Sequence, residues 1–189
     1  MQIQDIDTLI AEIEGMKANQ DYKWAEILAL EWLRDYTDDY RLYEELADIH
    51  IFGGDIEKAD EVLAIARELH PDSSTGRYLD GCIATAKGEF HRAIETLSEA
   101  NIAMPNNAEI LRNLGWAYVM TGNTDTPSHL VKWVSLLRRA HILAPDEPMI
   151  INDLSVALIA SGREEEARTV LARLGQADLV DVIKGSSLV

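Results

Sequence analysis

The sequence is poor in the residues that build most recognisable sites. It has a single cysteine, Cys82, so no internal disulfide can form, in keeping with a reducing compartment. Basic residues are scarce, with 17 Lys+Arg against 33 Asp+Glu and a formal net charge of -16. A surface of that sign repels nucleic acid rather than gathering it by counterion release. No apolar run reaches the roughly 18 residues of a membrane span. The start, Met1-Gln2-Ile3-Gln4-Asp5, has neither a basic n-region nor an apolar h-region, so neither secretion nor membrane insertion is encoded and a cytoplasmic location is expected.

Catalytic patterns are missing as well. The five histidines, His50, His70, His91, His129 and His141, include no His-Glu-x-x-His pair and no cluster with cysteine at ligand spacing, so no metal site is expected. Cys82 has no histidine on its own predicted helix face to act as a base, and reads as a quiet thiol. The glycines never cluster into a phosphate-cradling loop after a strand, and no nucleotide or other cofactor is expected. With 33 acidic residues, a close carboxylate pair is a solvated helix face far more often than a general acid and base. The chain is read as non-enzymatic.

What is present is ordinary material for an ordered soluble protein, 47% hydrophobic and 26% charged, in one domain or one linear stack. The acid is uneven. Residues 1–61 hold 17 Asp+Glu against 5 Lys+Arg, whereas residues 62–189 hold 16 against 12. That negative pole serves solubility or a salty cytoplasm, or else attracts a basic partner.

A repeat organises the chain. Gly54, Gly88, Gly122 and Gly162 recur at intervals of 34, 34 and 40 residues, and Pro71, Pro105 and Pro145 follow at 34 and 40. Each proline closes an apolar helical pattern, as a residue without an amide donor does. Between glycine and proline lies one helix, with Leu63, Leu97, Leu137 and Leu171 in phase, then Ala66, Ala100, Ala140 and Leu174, an amphipathic inner face. The preceding helix carries small residues at Ala47, Gly81, Gly115 and Ser155, matched across the hairpin by Ala59, Ala93 and Ala167, which predicts antiparallel helices in close contact. The frame is 6–39, 40–73, 74–107, 108–147 and 148–181, one domain over 1–183 followed by a flexible tail, 184–189.

A 34-residue period bearing Leu46-Ala47, Gly54, Ala59, Leu63, Ala66 and Pro71 resembles the tetratricopeptide repeat family, and Leu111 to Tyr118 is similar to a first helix of that family. The resemblance implies an all-α, right-handed superhelical solenoid of about five helix-turn-helix repeats, with a concave groove that holds a peptide or helix of a partner protein. The first unit departs from the pattern, with Gln20 at the turn and Thr37 in place of proline, as terminal repeats do. The fourth carries six extra residues from Asn123 to Ser128, in which Thr126-Pro127 reads as the N-cap and first position of a lengthened second helix. It also has Trp133 where alanine is expected, so that either the helices splay or the indole points elsewhere.

The family's groove positions fall at Arg41, Glu44, Asp48 and Ile51; Thr75, Tyr78, Cys82 and Thr85; Glu109, Arg112, Trp116 and Val119; and Met149, Asn152, Val156 and Ile159. The resemblance thus implies a groove grading from charged to apolar, with Tyr78, Arg112, Trp116 and Asn152 able to converge and Trp116 serving either groove or core. The lysine and asparagine with which some members grip chaperone tails are absent at these positions. An adaptor or scaffold is the first functional expectation. A small acidic cytoplasmic chaperone for a secreted or aggregation-prone client, and a subunit self-assembling through its C-terminal end, are the alternatives. The last rests on Leu179, Val182 and Ile183, apolar where a stack ends on a polar helix. Ser187-Leu188-Val189 has the form of a C-terminal peptide ligand, or is plain tail.

Overall fold

The computed structural model describes residues 6–121 and 127–184. Among the described residues there are eleven α-helices, one 3₁₀ turn and no strand. They divide into two compact units, Met1–Glu89 and Phe90–Val189, and the division falls inside the third repeat.

The first unit contains α1 (Ile6–Ala18), α2 (Tyr22–Trp32), α3 (Tyr40–Gly53), α4 (Ile56–Leu69) and α5 (Ser74–Ala86). Its core has two connected parts. Leu9, Ile13, Ala25, Ala29, Leu42, Leu46 and Ile49 close the first hairpin onto α3. Ala47, Ala59, Leu63, Ala66, Leu79 and Ile83 close the second onto α5. The degenerate first repeat is therefore a real hairpin. Ala47 and Ala59, both fully buried, supply the small contact at which α3 and α4 cross.

The second unit contains α6 (Phe90–Ala103), α7 (Ala108–Met120), α8 (Pro127–Leu143), α9 (Pro148–Ala160), α10 (Glu164–Leu171), a 3₁₀ turn (Ala172–Leu174) and α11 (Leu179–Lys184). At 17 residues α8 is the longest described helix, as the extra residues of that repeat predict. Trp133 does not splay the hairpin. It is buried in the core with Leu137, Ile151, Leu154 and Leu158, and a Cβ on Gly115 would lie 3.1 Å from its Cδ1. The bulk moved onto one helix is matched by bulk removed from the other. The Gly122 turn, Asn123 to Thr126 and the tail from Gly185 onward lie outside the described residues.

One turn geometry closes the hairpins. Gly54, Gly88 and Gly162 sit at φ of 77°, 76° and 71°, and the next residue's amide reaches back five positions, Asp55 to His50 at 3.0 Å, Glu89 to Ala84 at 2.8 Å and Arg163 to Leu158 at 2.8 Å. This is the left-handed closure that glycine permits without strain. Gln20 adopts it too, at φ 65°, with Asp21 bonded to Met16 at 2.9 Å. First helices are capped in phase: Asp39, Ser73, Asn107 and Glu147 each accept an amide from the opening turn, satisfying donors that a helix start leaves open.

The chain turns again at Gly175, φ 68°, and α11 folds over the last repeat, with Val180 fully buried and Ile183 packed beside it. Of the three residues expected to form a sticky end, Ile183 is thus turned inward, and only Leu179 and Val182 remain at the surface.

Candidate functional site

Each first helix shows a row of side chains that its own hairpin does not bury. In the first unit that row is tied up internally. Arg41 is held by Asp39 at 2.7 Å and by Asp7, and its bond to Asp39, joined by that to Asp7, raises its pKa further. Asp48 receives the Lys17 ammonium at 2.5 Å, and Glu45 receives the same group at 2.7 Å. Burial works against the Lys17 charge, but Asp48 and Glu45 outweigh it and hold the pKa above its ordinary value.

Glu44 is covered. It is only 5% exposed, and its Oε1 would stand 3.0 Å from a Cβ on Gly76. Burial pushes this carboxyl above the usual carboxylate range, opposed by the neighbouring Ser73 hydroxyl and Gly76 amide, and Oε1 has no hydrogen-bond partner among the described residues. The groove residue expected here is a covered carboxylate against the first turn of α5. Tyr78 and Cys82 on α5 are half-buried, with Tyr78 packed on Leu63 and its neighbours.

The second unit differs. On α7, Trp116 is 42% exposed and meets the edge of Trp133 at 6.3 Å between ring centroids, so it is a surface aromatic standing on a core one. On α9, Met149 is 55% exposed and Asn152 is exposed. Arg112 bridges the two helices by donating from Nε to Asp153 at 2.5 Å. Three of the four residues expected to converge, Arg112, Trp116 and Asn152, lie in this unit, and Tyr78 lies in the other. Val119 and Val156 pack against the core and Ile159 is buried, so these groove positions serve folding.

Asp153 and Met120 belong to this surface although the repeat register did not select them. Met120 is exposed one helical turn beyond Trp116, a spacing visible in the sequence. The arrangement offers aromatic and thioether contact area, an amide able to donate and accept, and a guanidinium aligned by a carboxylate. Among the described residues no group of three or more His, Cys, Asp or Glu could hold a metal ion, and no helix is long and apolar enough to cross a membrane.

No protein-family model matches the chain, and no curated protein sequence matches it. Solved structures do. A thermophilic TPR protein of Thermus thermophilus, TTC0263, is 20% identical over 96% of this chain and 98% of its own, with a TM-score of 0.72. MamA of Desulfovibrio magneticus RS-1 is 18% identical over 95% and 97%, with a TM-score of 0.60. A chain of the APC/C hetero-tetramer Cut9-Hcn1 reaches a TM-score of 0.79 at 16% identity, over 93% of this chain and 35% of that one.

Proposed function

We propose that this chain, which has the tetratricopeptide-repeat fold, is a non-enzymatic scaffold that holds a peptide or helix of another protein against α7 and α9 of its second unit. The observation that carries the reading is the exposure of Trp116 and Met149 beside Asn152 on consecutive first helices, aligned by the Arg112–Asp153 bridge. Trp116 keeps 42% and Met149 55% of its surface in water, and aromatic and arginine residues dominate the energy of protein interfaces. That a structural neighbour is a chain of an assembly, Cut9-Hcn1, agrees with this use of the fold.

The reading narrows the expected groove to Arg112, Trp116, Met149 and Asn152, with Met120 added. Arg41, Glu44 and Asp48 become structural, and Tyr78 and Cys82, which belong to the other unit, are left out of it. The test is quantitative affinity capture with the wild type and Trp116→Ala side by side. A protein enriched on the wild type and depleted at least tenfold on the variant supports the reading. The same proteins at the same yield on both would defeat it.

A further inference from the structure

In the repeat register the outer face of α2 differs from that of every other second helix. Trp24 stands where the later repeats have Lys58, Arg92, Lys132 and Glu166, and Ile27 stands where they have Glu61, Glu95, Ser135 and Thr169. Polar residues at these positions keep the outside of a stack in water. On α2 large apolar side chains take their place and stay in water themselves, with Trp24 63%, Ile27 42% and Leu30 49% exposed. The hairpin is closed from the opposite side of the helix, through Ala25 and Ala29.

The charges on this face have a definite order. Lys23, Ile27 and Glu31 follow one another at four-residue spacing and so form a single row down the exposed side of the helix. Neither Lys23 nor Glu31 has a side-chain partner among the described residues, unlike Glu26 on the adjoining flank, which holds the Lys58 ammonium at 3.2 Å. The row is therefore its own complement. Turned end for end about Ile27, it sets lysine against glutamate at both ends. Parallel alignment opposes like charges instead, and a slip of one turn sets Lys23 against isoleucine.

We infer that the outer face of α2 receives the same face of a second molecule of this chain, the two helices running antiparallel about a two-fold axis at Ile27. Lys23 of each molecule meets Glu31 of the other, and Trp24 and Leu30, which lie on either side of Ile27, cover the paired rows from both flanks. Helices commonly meet through rows of this four-residue spacing. The contact is isologous, so each interaction is made twice and the surface is used up in a dimer. One helix face per molecule lies below the roughly 800 Å² per partner of a stable interface, so the dimer is weak, and its exposed ion pairs make it sensitive to salt. The contact uses α2 alone and does not rest on the function proposed for α7 and α9.

The experiment is sedimentation equilibrium at low salt on full-length protein, up to concentrations of several hundred micromolar, about the range weak interfaces require. It compares the wild type with Lys23→Glu, Glu31→Lys and the double exchange Lys23→Glu with Glu31→Lys, each checked for unchanged helicity. The wild type is expected to approach the mass of a dimer as concentration rises. Each single reversal is expected to weaken dimerisation about tenfold, because it opposes like charges at both ends of the paired rows. The double exchange rebuilds the row in reverse and is expected to restore the dimer, and an equimolar mixture of the two single variants to pair with each other. A wild type that stays monomeric throughout would overturn the inference and leave the α2 face to a foreign partner. An association that neither single reversal weakens, or a double exchange that stays as weak as the single ones, would overturn it equally.

Discussion

In the first unit the charged residues of the first-helix row, Arg41, Glu44 and Asp48, are held by ion pairs or covered, while in the second unit Trp116, Met149 and Asn152 stand in water beside one aligned arginine. Both units are built from the same hairpin, turn and cap. The difference teaches that repeat register says where a side chain starts from, and that neighbouring helices decide whether it remains free. In the first unit the charged side chains of the row find partners or cover within their own unit, whereas Trp116 and Met149 in the second keep much of their surface in water.

The hairpin crossings give the largest contrast. Gly115→Val puts branched bulk against Trp133, whose Cδ1 already lies 3.1 Å from the position of a Cβ, and is expected to cost about 2–3 kcal/mol by urea unfolding. Adding Trp133→Ala to that variant should recover part of the loss, because it restores the small contact that Ala47 and Ala59 make in the first unit.

Next in size is Lys17→Met, expected to cost about 2 kcal/mol at neutral pH, since it leaves the half-buried carboxylates of Glu45 and Asp48 facing each other without their cation. The Lys17 pKa is raised on folding, so the stabilisation is fully present below its ordinary value of 10.5 and is lost as pH rises through the folded value. The gap between wild type and variant in a pH series of melts should close there.

Glu44→Gln works in the opposite sense. An ionised carboxylate whose Oε1 is buried without a partner is replaced by a neutral amide, with an expected gain of about 1 kcal/mol at pH 7. The folded pKa of Glu44 is raised, so ionisation costs stability above it, and the cost disappears as pH falls through it toward the ordinary 4.5. Thermal melts should show the advantage of the variant shrinking over that interval.

Gln20→Gly has the smallest effect, a gain of about 0.5 kcal/mol by chemical unfolding. It relieves a left-handed residue at φ 65°, against which the added freedom of glycine in the unfolded chain counts. A loss would mean that the Gln20 side chain itself holds the turn.

Much of the fold is legible in the residues. Glycine and proline spacing places the hairpins because only a left-handed turn and a missing amide donor satisfy those positions, and the inner leucines and alanines follow from helical period. The caps at Asp39, Ser73, Asn107 and Glu147 were not read from the sequence, although each lies two residues past the proline or its substitute Thr37. The candidate site was legible only in part. Trp116 and Met149 follow from register, but the Arg112–Asp153 bridge spans 41 residues, and which of several nearby acids a guanidinium reaches depends on how consecutive repeats pack. The covering of Glu44 depends on Gly76, whose missing side chain leaves the space the carboxylate occupies.

The central claim, that partner binding lies in the second unit while the same row of the first is structural, is tested most directly by a matched pair of measurements. Melting temperature and affinity for the captured partner are measured on Trp116→Ala and on Asp48→Ala. The account predicts that Trp116→Ala weakens binding at least tenfold, about 1.4 kcal/mol or more, with little change in melting temperature, and that Asp48→Ala lowers the melting temperature and leaves affinity intact. The reverse pattern, with affinity lost at Asp48 and kept at Trp116, would contradict it.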